Sequence, residues 1–95
     1  MEFEWDAEKA ASNQVKHGVS FAEAMTVFGD PFELTISDPD LSAEEVRYLS
    51  LGLSTGGRLL VVAYTERAGR TRIISARNAT SRERNQHEST GFSRK

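Results

Sequence analysis

"LLVVAYTERAGRTRIISARNATSRER", residues 59–84, decides the fold. Leu59 to Tyr64 is the longest apolar run of the chain, and with Arg58 and Thr65 at its ends it reads as the most apolar strand. Ala68-Gly69 is a turn signal, and Arg72 to Arg77 resumes as the last strand. Thr80, with Glu83 three positions later, forms a capping box that opens a helix over residues 81–88. Two strands joined by so short a turn must run antiparallel.

Upstream, Thr55-Gly56-Gly57 signals a hairpin and Val46 to Leu53 is extended in style. Phe32 to Ser37 has Phe32, Leu34 and Ile36 on one side, and Asp38-Pro39-Asp40 marks the turn that follows. These four strands predict an antiparallel meander. At the start, Phe3 and Trp5 alternate with Glu2, Glu4 and Asp6, which predicts a short edge strand with its aromatics inward. Asp6 caps a helix from Ala7 to Lys16 or His17, and Gly18 supplies the left-handed residue that ends it. Ser20 and Glu23 form a second capping box, and the helix it opens carries Phe21, Ala24, Met25 and Phe28 as a buried stripe until Gly29-Asp30-Pro31. The expected class is α+β: a small antiparallel sheet of about four main strands plus an N-terminal edge strand, two N-terminal helices packed on it, and a polar C-terminal helix. Residues 1–88 form a single domain in this reading and 89–95 a flexible tail anchored only by Phe92.

Composition narrows the function. With 38% apolar and 27% charged residues the chain is an ordinary globular domain. Without cysteine it has neither disulfides nor thiolate chemistry. No apolar run approaches the ~20 residues of a membrane span, and MEFEWD lacks the basic and apolar regions of a signal peptide, so a cytoplasmic protein is expected. Asp38, Asp40, Glu44 and Glu45 lack the calcium-loop pattern and read as a solvated acidic loop. No glycine-rich phosphate loop or nucleophile elbow is present, and no metal or cofactor is expected.

Charge is divided along the chain. Residues 1–46 carry eleven Asp and Glu against Lys9 and Lys16, whereas all nine arginines lie beyond them. Guanidinium groups suit phosphate, so one surface could hold an anionic polymer; alternatively the two halves fold against each other and cancel. The last helix, SRERNQHE, has no apolar side chain and nothing with which to grip a core.

"FEWD" at the start, "KHGVSFAEA" at the helical joint, "LLVV" in the central strand and "RIISARNATSRER" before the last helix together resemble the BrnT family, toxins of type II toxin–antitoxin modules, over about residues 3–87. The resemblance implies a RelE-like fold and a metal-independent ribonuclease that halts translation. It also implies RNA as substrate and a cognate BrnA-type antitoxin with a DNA-binding domain, the ribosome being a further candidate partner. Members often carry a tyrosine near the end of the last helix, where this chain has His87.

Metal-free RNA cleavage needs a base for the 2′-OH, cations for the phosphorane and an acid for the leaving 5′ oxygen. If Ile74 and Ala76 face the core, Arg77 points to the open side of the sheet, with Arg82 and Arg84 following at a helix N-terminus. Arg77 and then Arg82 are the leading phosphate clamps; the other reading is that such arginines bind acidic side chains of the antitoxin or of residues 38–45. Glu83 and His87, four apart on one helix face, are an acid–base pair or a plain surface ion pair. His17 and Lys16 close a helix, where cations are favoured, or contact phosphate, with catalytic acid–base work a further role for His17 under the family resemblance. Arg47 shares parity with Leu49 and Leu51, which predicts the helix-covered face, and it is a candidate RNA contact because the resemblance favours a basic residue there. Arg58, Arg67, Arg70, Arg72 and Arg84 are expected as RNA or partner contacts, and Trp5 as core or as a base-stacking platform. A helix-turn-helix over residues 7–28 is disfavoured, since its second helix has no Lys or Arg. The competing class is a non-catalytic module that binds nucleic acid or a protein partner through the same arginines.

Overall fold

The computed structural model describes residues 1–37 and 46–93. The acidic segment and the Asp38-Pro39-Asp40 turn lie outside the described residues, as does Arg94. The elements are β1 (Phe3–Glu4), α1 (Ala7–His17), α2 (Phe21–Met25), continued by a 3-10 turn (Thr26–Gly29), β2 (Leu34–Ser37), β3 (Arg47–Leu53), β4 (Leu59–Arg67), β5 (Arg70–Asn78) and α3 (Ser81–Ser93). They build an α+β fold on one five-stranded sheet, ordered β1-β5-β4-β3-β2.

The predicted caps form. Asp6 accepts from the N–H groups of Glu8 and Lys9, Gly18 ends α1 at φ 68°, and the Ser20 hydroxyl accepts from Glu23 N–H. Ala68 and Gly69, at φ 52° and 78°, make the two-residue turn between β4 and β5.

Three features depart from expectation. The sheet is mixed: β2 to β5 form the antiparallel meander, but β1 lies parallel to β5, pairing Phe3 with Thr71 and Glu4 with Arg72. Parallel placement is possible because most of the chain intervenes between the two strands. The third helix runs to Ser93, past Glu88. Finally, the register between β4 and β5 shifts at Ala63/Tyr64, so that Ile74 is an extra residue on β5.

That bulge sets the faces of the sheet. Ile73 and Ala76 are both buried in the main core, not Ile74 with Ala76 as simple alternation predicts. The main core joins Val19, Phe21, Ala24 and Val27 of the helical segment to Leu60, Val62, Ile73 and Ala76. Trp5 packs edge-on against Phe21 at 6.0 Å between ring centres, so it belongs to this core. A second, smaller cluster of Leu51, Leu59 and Val61, with Leu34, Leu49 and Ala79 beside it, occupies the opposite, distal face. Helix α3 folds back over that face: Glu83 and Gln86 close a cavity of about 100 Å³ lined also by Leu34, Leu49 and Leu51. Helices therefore contact both faces.

Candidate functional site

Register assigns the distal face in rows, since laterally paired residues project to the same side. One row is Arg77, Val61, Leu51 and Leu34; the next is Ser75, Ala63, Leu49 and Ile36; a third is Arg72, Thr65 and Arg47. The bulge is what brings Arg72 to the side of Arg77, because without the extra residue the two would face opposite ways. Arg47 was expected on the helix-covered face; its parity with Leu49 and Leu51 holds, but that parity leads to the distal face. Its Nε is buried and has no hydrogen-bond partner among the described residues.

Helix α3 closes one end of this surface through an ion pair and a histidine–carboxylate hydrogen bond. Arg77 donates from both terminal nitrogens to Glu83, at 2.8 and 2.9 Å, in a bidentate fork. Arg77, backed by the Thr80 N–H, overcomes the effect of burial and holds the Glu83 carboxyl at a pKa of about 2; Glu83 in turn pushes the guanidinium up. One turn further on, His87 Nε2 lies 2.7 Å from Asp30 Oδ2. Asp30 is only 6% exposed. Burial pushes its carboxyl up, but hydrogen bonds from the N–H groups of Leu53 and Phe32 and from His87 outweigh this and hold it below the usual range.

The pairing differs from the one the helix spacing suggested. Glu83 does not orient His87: Glu83 is engaged by Arg77, and Asp30 is the carboxylate at the imidazole. Asp30 read in the sequence only as part of a helix terminator. Its partner lies 57 residues away, a contact that no local pattern announces.

The remaining candidates are spread over the molecule: Arg47, Arg72 and Arg77 share the distal face, but the other cations do not all join them there. Arg58, expected as an RNA contact, turns to Glu23 (Nε 3.0 Å, Nη2 2.5 Å) and to the carbonyl of Gly18 (3.1 Å), tying the KHG joint to the β3–β4 hairpin. Arg72 donates to Glu4 at 2.9 Å, and Arg70 lies 3.5 Å from Glu2 and 3.6 Å from Glu4. The acidic first half thus neutralises three of the arginines. Arg82 and Arg84 are exposed on α3 and have no carboxylate within ion-pairing distance among the described residues. Lys16 and His17 lie on the other side of β5, where the last turn of α1 meets Ser75. Among the described residues no three His, Cys, Asp or Glu side chains gather as a metal ion would require.

The fold defines a class. The crystal structure of the Brucella abortus ribonuclease toxin, BrnT, superimposes with a TM-score of 0.63 over 85% of this chain and 99% of that one, at 24% identity. A family model described as "Ribonuclease toxin, BrnT, of type II toxin-antitoxin system" matches residues 5–83, and the chain belongs to this family. No curated protein matches.

Proposed function

We propose that the chain is a RelE-like endoribonuclease that cleaves RNA without a metal ion, inhibits translation in the cytoplasm, and is silenced by a cognate BrnA-type antitoxin carrying a DNA-binding domain. Such a nuclease could meet its RNA on the ribosome. The observation that carries the reading is the stacking of Glu83 and His87 on one face of α3, with Arg77 against the first and Asp30 against the second.

In this reading a phosphate takes the position of the Glu83 carboxylate in the Arg77 fork, since the guanidinium recognises both in the same way. Glu83, once freed from Arg77, regains the basicity to take the proton from the 2′-OH. The 2′ oxygen attacks phosphorus, the guanidinium stabilises the added negative charge, and His87, oriented by Asp30, gives its proton to the departing 5′ oxygen. The products are a 2′,3′-cyclic phosphate and a 5′-hydroxyl. Arg47 and Arg72, in the third row of the distal face, would hold flanking phosphates, Arg72 by exchanging the Glu4 carboxylate for a phosphate oxygen. Arg82 and Arg84 add charge at the open end of α3.

The test is incubation of the purified protein with RNA in excess chelator, with analysis of the product ends. Cleavage to cyclic phosphate supports the reading, and its loss on chelation removes metal independence. The engagement of Arg77 by Glu83 favours a second reading, a non-catalytic module for RNA or for a partner. Tight binding of RNA that stays intact would select it. Growth arrest on expression, relieved by an antitoxin encoded alongside, tests the biological role.

A further inference from the structure

The sheet is incomplete at one corner. β1 pairs with β5 only at Thr71 and Arg72, and further along the strand α1 borders β5 instead, Asn13 bonding to Ala76. Between α1 and this free edge runs an open groove of about 420 Å³ whose wall includes Lys9, Ser12, Lys16, His17 and Ser75. Lys9 and Lys16 are the only Lys or Arg residues in the first 46 positions, and both open into this one groove.

Helix capping does not account for that stripe. Lys9 and Lys16 stand seven residues apart, about 10 Å along the axis, with Ser12 between them on the same side. Lys16 offsets the roughly half negative charge of the helix C-terminus, but Lys9 is in the first turn, where the macrodipole disfavours a cation. Unlike Arg58, Arg70, Arg72 and Arg77, neither lysine nor His17 has a carboxylate within ion-pairing distance among the described residues. Asp6 also reaches the groove, but its side chain is occupied by the α1 cap; Glu8 is the one acid there with no such task. Ser75 lines this wall two positions before Arg77, roughly 7 Å along β5, so a strand held at Arg77 reaches the groove by passing over the free edge of the sheet.

We infer that the groove between α1 and the free edge of β5 is a second phosphate site that holds the RNA strand beside the reacting phosphate, with Lys9 and Lys16 as its cations and the Ser12 and Ser75 hydroxyls as donors. The inference rests on the ribonuclease reading for its ligand. Binding of a short single-stranded RNA methylated at every 2′ oxygen, which the 2′-OH route cannot cleave, tests it by fluorescence anisotropy.

Lys9→Gln/Lys16→Gln should bind this probe about tenfold more weakly at low salt, with a salt dependence shallower by about 1.4 in log–log slope. Glu8→Gln should tighten binding, and the probe should shift the amide resonances of Lys16, His17 and Ser75. Both lysines are exposed, so the variant should melt as the wild type does. Unchanged affinity and slope, or resonance shifts confined to α3, overturn the site. Wild-type protein that binds the probe in the groove yet cleaves no RNA overturns the ribonuclease reading and leaves the site standing.

Discussion

Asn13 of α1 forms a closed pair of hydrogen bonds with Ala76 of β5: its Oδ1 accepts from Ala76 N–H at 3.0 Å and its Nδ2 donates to Ala76 C=O at 2.9 Å. The same Nδ2 donates to Val19 C=O at 2.9 Å. One buried side chain thus occupies the position of a neighbouring strand and binds α1 to the sheet. Asn13→Ala leaves the Ala76 N–H and two carbonyls without partners, and should lower unfolding free energy by about 2–4 kcal/mol in urea titration. Asn13→Asp should be nearly as damaging, since a carboxylate cannot donate to either carbonyl.

Arg77→Ala should reduce RNA cleavage by about a hundredfold or more while the protein still folds. Arg77→Lys should recover little, because an ammonium cannot present the two parallel donors now engaged by Glu83. Product formation per enzyme, with circular dichroism as the control, decides this. Wild-type cleavage in Arg77→Ala would remove the guanidinium from the reaction.

His87→Ala should lower kcat by about a hundredfold, the usual scale for losing a positioned acid. Asp30→Asn should lower kcat by about tenfold and leave KM unchanged, since Asp30 acts through the imidazole and does not reach the RNA. If the two variants changed KM alone, the pair would serve only to hold α3 in place.

The Glu83 carboxyl titrates near pH 2 in the folded protein, against an ordinary value of 4.5. A depressed carboxylate contributes stability that is complete above the unfolded value and is lost as pH falls through the folded one. The Arg77 pair should therefore contribute about 1–2 kcal/mol, after allowance for partial exposure, that declines between about pH 5 and pH 2. Melting temperatures across that window should fall less steeply in Glu83→Gln.

Gly52 packs where β3 meets the 3-10 turn. A Cβ there would lie 2.8 Å from Val27 Cγ1 and 3.1 Å from the Val27 carbonyl oxygen. Gly52→Ala should destabilise by about 1–3 kcal/mol, measured by thermal or chemical unfolding, because neither the buried valine nor its backbone can withdraw cheaply.

Local signals carried most of the fold. Asp6, Ser20 and Gly18 bound their helices as read, and Ala68-Gly69 turned the last hairpin. Long-range geometry was not legible. The bulge at Ile74 leaves no mark in RTRIISAR beyond two adjacent isoleucines, either of which could be the buried one, yet it sets the side on which Arg72 emerges. The candidate residues Arg77, Glu83 and His87 could be named from spacing, but their partners could not. Asp30 and Asn13 act across 57 and 63 residues, distances at which periodicity is silent.

The parallel placement of β1 beside β5 bears on when the molecule becomes competent. During synthesis the opening strand has nowhere to dock until positions 71 and 72 have left the ribosome tunnel, and Arg77, Glu83 and His87 emerge later still. Until those positions are free, β1 has no partner strand and the surface that carries Arg77, Glu83 and His87 is not assembled.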